Sequence, residues 1–179
     1  MSWEKRVLDL FDDLEQQAEG LALVERDAAV AELGRAEYAE VELLSRLHAS
    51  VGHPVHLHVQ GLGMLRGRLD RVGTGWCLVS GEPPARPETV VRLGAVMSAR
   101  GLSPRAVPEA VRGPLARLGL GSVLRGLAEE ACPVVVALLD GDARRGVPGR
   151  VGADFVEVVT ADGGAEVVPF SAVAAVRPA

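Results

Sequence analysis

The sequence predicts an α+β fold: a long N-terminal helix followed by two tandem five-stranded small β-barrels. Three observations predict it. From Trp3 to about His48 the chain is free of proline and rich in good helix formers. The remainder contains an internal repeat, and each copy carries the periodicity of strands. The expected organisation is residues 1–40 as an acidic, coiled-coil-like amphipathic helix and 41–100 as the first barrel. A linker over 101–121 and a second barrel over 122–179 follow.

Within the helix, Trp3, Val7, Leu10, Leu14, Leu21, Val24, Ala28, Ala31 and Tyr38 fall on alternating three- and four-residue steps. They form a heptad-like seam interrupted at Gln17 and Arg35. Ser2 can cap the start, and Glu4 suits the positive end of the helix dipole. A straight helix of this length would run roughly 65–70 Å at about 1.5 Å per residue. It must therefore project, pair with another chain, or break, with Gly20 and Gly34 the expected break points. Trp3, Val7, Leu10, Leu14, Leu21 and Val24 are the residues through which a protein partner or a second copy would dock.

The repeat is visible without gaps. Pro54–Val79 and Pro133–Val158, offset by 79 residues, are identical at 8 of 26 positions. The identities include Arg66-Gly67 with Arg145-Gly146, and Arg71-Val72-Gly73 with Arg150-Val151-Gly152. Trp76 stands opposite Phe155. A second block, Val90–Val96 against Val167–Val173, is offset by 77. In the first copy Val55, Leu57 and Val59 alternate with His56, His58 and Gln60, giving a strand with one buried and one wet face. The second copy has Val135, Ala137 and Leu139 at the wet positions, so its outer face should be covered by the other barrel, the helix or a second chain. Val135 and Leu139 are accordingly candidate interaction residues. Short helical stretches precede each unit, and Gly61, Gly63 and Gly67 mark bends or close approaches.

This order of elements resembles the Sm and LSm family of small β-barrels. The resemblance is carried by Val55–Gln60, Leu65–Leu69, Trp76–Val79 and the strand-turn-strand around Val91–Met97, and by their counterparts in the second unit. The whole chain also resembles a family of actinobacterial proteins often labelled Fis-like regulators. The Sm resemblance implies RNA binding and ring assembly through edge strands. The motif residues of the uridine pocket do not carry over: its Asp falls at Gly73 and its Asn at Cys77, with Gly152 and Val156 in the second unit. Only Arg92 matches the Arg-Gly pair, and Pro169 stands opposite it.

Composition narrows the function. Residues 1–49 hold 12 acidic and 5 basic side chains, a net of −7; residues 50–179 hold 12 and 14, a net of +2. A general binder of nucleic acid or anionic membrane would need a basic face that this balance does not supply. Arg66, Arg68 and Arg71, with Arg144, Arg145 and Arg150, make two basic strips that could touch nucleic-acid phosphates or an acidic protein. His56 and His58 share a strand face but lack acid or thiol partners at metal-ligand spacing. No nucleophile elbow or phosphate-binding glycine loop is present. Cys77 and Cys132 suggest a reducing compartment and no disulfide framework. The longest uncharged apolar run, Ala131–Leu139, is too short to cross a bilayer. The expectation is a cytoplasmic, non-enzymatic interaction scaffold or adaptor without catalytic residues, metal or cofactor. The alternative is a nucleic-acid-binding regulator using the arginine strips.

Overall fold

The computed structural model describes residues 32, 34–81 and 87–179. The chain divides into two units, Met1–Val41 and Glu42–Ala179. In the first unit residues 34–39 are helical and the helix ends in a turn at Glu40. The second unit holds the helices α1 (Leu43–His48) and α2 (Leu120–Glu129). Its strands are β1 (Pro54–Val59), β2 (Gly63–Gly73), β3 (Trp76–Gly81), β4 (Thr89–Arg92) and β5 (Val96–Arg100). They continue as β6 (Val134–Leu138), β7 (Ala143–Val151), β8 (Phe155–Val159), β9 (Ala165–Pro169) and β10 (Val173–Pro178).

The expected pair of barrels is not what forms. The strands join in one ten-stranded antiparallel sheet ordered β5-β1-β2-β3-β4-β10-β6-β7-β8-β9. Each half of that order runs last strand, first, second, third, fourth, so the repeat persists in topology. However, neither half closes on itself. Strand β4 satisfies its open backbone groups on β10, with Val91 opposite Ala175 and Val90 opposite Val176. The cores also interpenetrate. Ala137, Ala174 and Ala175 of the second half belong to the cluster built on Val55, Leu57 and Leu69. Trp76, Leu78 and Val90 of the first half pack with Leu124, Val136 and Val156 of the second.

The single long helix is also overturned. Its expected span from Trp3 to His48 is interrupted at residues 40–42, where Glu42 is extended at φ −78° and ψ 150°. No heptad seam runs through such a break, and the coiled-coil reading falls with it. Gly34, an expected break point, lies inside the helix. Residues 1–31, including Gly20 and Trp3, Val7, Leu10, Leu14, Leu21 and Val24, lie outside the described residues.

Strand β1 follows its alternation closely: Val55, Leu57 and Val59 are fully buried and Pro54, His56 and His58 exposed. Helix α2 buries Leu120 and Leu124, with Val123 and Leu127 packing beside them. It ends in a Schellman motif: Cys132 N–H donates to Leu127 O at 3.0 Å and Ala131 N–H to Ala128 O at 3.0 Å, with Ala131 left-handed at φ 50°. The proline-rich stretch before α2 is tied down by hydrogen bonds. Val107 N–H donates to Ser45 O at 3.0 Å, Arg112 Nη2 to Ser45 Oγ at 2.7 Å, and Trp76 Nε1 to Leu118 O at 2.7 Å.

Candidate functional site

The feature that sets the two halves apart is β5. It pairs with β1 through Leu57–Ala99 and His58–Ser98, and no described strand lies on its other side. Strand β10, offset by 77 residues, is the same strand with a neighbour: Val96-Met97-Ser98-Ala99-Arg100 corresponds to Val173-Ala174-Ala175-Val176-Arg177. The two begin alike, each after a single 3₁₀ turn, Leu93–Ala95 or Phe170–Ala172. Each turn accepts an equivalent bond, Gln60 N–H to Ala95 O at 2.8 Å and Leu139 N–H to Ala172 O at 3.0 Å. Paired on both sides, Val173, Ala174, Ala175 and Val176 are at most 2% exposed; on β5, Met97 is 62% exposed and Ser98 also faces solvent.

No family model and no curated protein matches the chain.

The face beside this edge is cationic. Arg100, His56 and Arg66 lie directly opposite one another across β5, β1 and β2, and all three are exposed. Neither Arg66, Arg71 nor Arg100 has an acidic partner within ion-pair distance among the described residues, whereas Arg68 pairs with Asp70 at 2.8 Å. The second arginine strip is largely neutralised. Arg144 sits 2.7 Å from Glu166 and 3.7 Å from Asp142, and Arg150 lies 3.6 Å from Glu157. The Glu166 carboxylate bonded to it raises the Arg144 pKa further. Arg145 alone of that strip is unpaired among the described residues. The repeat therefore places six arginines in equivalent stretches, and among the described residues the first set leaves Arg66 and Arg71 without an acidic partner where the second leaves Arg145 alone.

Val135 is buried and Leu139 half-buried, the latter against the first half's core. The turn at Gly61 comes so close to the end of β6 that a Cβ there would lie 1.9 Å from Leu138 O.

The thiols are held protonated. Burial pushes the Cys77 pKa up to about 12. Desolvation, then the bond from Cys132 Sγ to Glu130 Oε2 at 3.6 Å, raises that of Cys132. A cavity of about 370 Å³ beside Cys132 has mainly apolar walls, including Leu78, Val90, Leu127 and Val176. Among the described residues no group of His, Cys, Asp and Glu is arranged to hold a metal ion, and no helix is long and apolar enough to cross a membrane.

His48 borders a second cavity of about 320 Å³ with Val72, Trp76 and Leu118. Its Nε2 is buried and has no hydrogen-bond partner among the described residues. Burial, and then the Arg112 guanidinium, lower its pKa. The unfolded chain therefore binds the proton first as pH falls below about 6.5. Stability from the neutral ring is complete above that pH and is lost as pH falls toward the lower folded-state value. Thermal melts at constant ionic strength should show the wild type losing more between pH 7 and 5 than His48→Leu does. Parallel curves would remove the ring as the cause.

The residue whose part in the sheet the sequence shows least clearly is Arg92. Its Nε donates to Val173 O at 2.6 Å and its Nη2 to Ser171 O at 3.0 Å, fastening β4 to β10. The signal was present in the aligned block, where Arg92 with Gly94 stands against Pro169 with Ser171.

Proposed function

We propose that the protein is a non-enzymatic interaction scaffold that recruits a protein partner by strand addition at β5. The observation that carries this reading is that β5 repeats β10 in its place in the repeat and in turn geometry while its outer side holds no described strand. A strand with unpaired N–H and C=O groups is a template for main-chain pairing, and its side chains supply specificity. The exposed Met97 gives that edge an apolar anchor, and Arg100 and His56 keep it wet when unoccupied. We place the protein in the cytoplasm, in keeping with two free cysteines, one of them buried.

The test is affinity capture from a nuclease-treated cell extract, comparing the full-length wild type with Ala99→Pro. Proline removes one edge N–H and restricts the backbone at the middle of β5. Partners that survive nuclease and are lost with Ala99→Pro are the expected result; partners retained by the variant would rule the edge out. A second reading, nucleic-acid binding, is favoured by the Arg100–His56–Arg66 row and by unpaired Arg71. It requires nucleic acid in the captured material and binding that weakens steeply with salt.

A further inference from the structure

The joint between β4 and β10 shows what a strand on the open edge of β5 would need. Strand β4 contributes Val90 and Val91 opposite Val176 and Ala175. Arg92 then reaches across to the carbonyls of Val173 and Ser171. Its guanidinium occupies the space over Gly94, where a Cβ would lie 2.3 Å from Nη1. The recognition unit is thus an apolar-apolar-Arg strand end followed by x-Gly in a 3₁₀ turn. The receiving unit is a 3₁₀ turn running into a strand.

That receiving unit occurs twice. Val96 at φ −76° and ψ 113° matches Val173 at −72° and 129°, and Gly94 and Val96 hold the positions of Ser171 and Val173. We infer that β5 accepts a partner protein's segment of apolar-apolar-Arg-x-Gly pattern, extended up to the arginine, its guanidinium donating to the carbonyls of Gly94 and Val96, and that β9 of a second copy is not that segment. This rests on the strand-addition reading above.

Two features of the chain exclude its own β9. In Val167-Val168-Pro169-Phe170-Ser171, proline replaces the arginine, so there is neither a guanidinium nor an N–H at that position. The Cβ of Ser171 also stands where the clamp needs glycine. Beyond the edge itself, a second copy repeating the β4–β10 packing would bury His58 where Ala137 lies in the first core. A buried imidazole without a partner is costly, so the occupant must meet this face with polar groups. Met97, at the position of the fully buried Ala174, calls for an apolar recess in the partner.

The probe is a labelled peptide of residues 87–95, which carries the β4 pattern, titrated with full-length protein and followed by fluorescence anisotropy. Comparison peptides are the same sequence with Arg92→Ala, and residues 164–172 of the β9 segment. The wild type should bind the first peptide, and each comparison peptide should bind about tenfold more weakly or worse, as loss of charged hydrogen bonds implies. Binding should disappear with Ala99→Pro and weaken with Met97→Asp, a change at an exposed site that leaves the core alone. Equal binding of the Arg92→Ala peptide, preference for the β9 peptide, or no binding overturns the inference. Survival of binding in both protein variants does so too, since the peptide would then be displacing β4 from β10. If the Ala99→Pro capture still loses partners while the peptide rule fails, strand addition stands without the arginine clamp. If that capture keeps its partners, strand addition itself fails.

Discussion

Gly67→Val and Gly146→Val should each strongly destabilise the native fold, at a cost of about 3–5 kcal/mol from overpacking and backbone displacement. A Cβ at Gly67 would lie 2.0 Å from Ser80 O and 2.8 Å from Val79 Cγ1; at Gly146 it would lie 2.2 Å from Val159 O and 2.9 Å from Val158 Cγ1. In both places the nearest obstacle is backbone, which cannot rotate aside. Relief would require opening β2 from β3, or β7 from β8, at the points where Gly67 faces Gly81 and Val147 faces Val159. Glycine in a strand interior costs about 0.5–1 kcal/mol relative to alanine, so its presence at both positions needs a compensating reason. The close crossing of strands supplies it. Domains of this size are stable by about 5–15 kcal/mol, so either substitution removes a large share. Urea unfolding followed by circular dichroism would show it, with Gly126→Ala as control. Gly126 lies within α2 with nothing inside 4 Å of its Cβ position, so alanine there should stabilise by about 0.5–1 kcal/mol. A Gly67→Val protein with a wild-type transition would mean that the strands do not approach as closely as the repeat implies.

The same pair of glycines shows what could be read from sequence. The Arg-Gly repeat, the alternation of Val55, Leu57 and Val59, and the Trp76/Phe155 correspondence are local signals. Each has a local cause: Gly73 and Gly152 leave room for the rings of Trp76 and Phe155, at 2.3 Å from their Cβ positions. The joint between halves has no such signal. An open edge can satisfy its backbone on its own half or on its neighbour, and periodicity is the same in both cases. Here two residue pairs and one arginine decide it. The N-terminal break was hidden for a different reason. Residues 40–42 contain neither glycine nor proline, but Leu47 must enter the first core, and Ser45 must meet Val107 and Arg112. Those tertiary contacts outweigh a helix propensity worth a few tenths of a kcal/mol per residue, on the order of the differences among ordinary residues. Edge status was equally hidden: β5 and β10 follow the same 3₁₀ turn and share their first and fifth residues, and only the assembled sheet shows that one is covered.

Arg92→Ala is expected to cost about 2 kcal/mol and, more tellingly, to act locally. Hydrogen bonds from charged donors contribute roughly 1.5–3 kcal/mol each, and the partial exposure of this side chain brings the pair toward the lower figure. The backbone register between β4 and β10 spans two residue pairs, against six between β1 and β2 and five between β8 and β9. The joint therefore depends on the side chain more than any other strand pair does. Amide exchange at Val90, Val91, Ala175 and Val176 should quicken about tenfold or more in the variant, while β1 and β2 keep most of their protection. Arg92→Lys should not restore it, because an ammonium lacks the planar fork that reaches two carbonyls at once. A uniform loss of protection across all ten strands would instead mean that the sheet opens as one unit and that the arginine is no joint. Local loss in the alanine variant, not restored by lysine, would make the guanidinium the device by which this sheet joins one half to the next, and the feature a partner strand at β5 would have to supply.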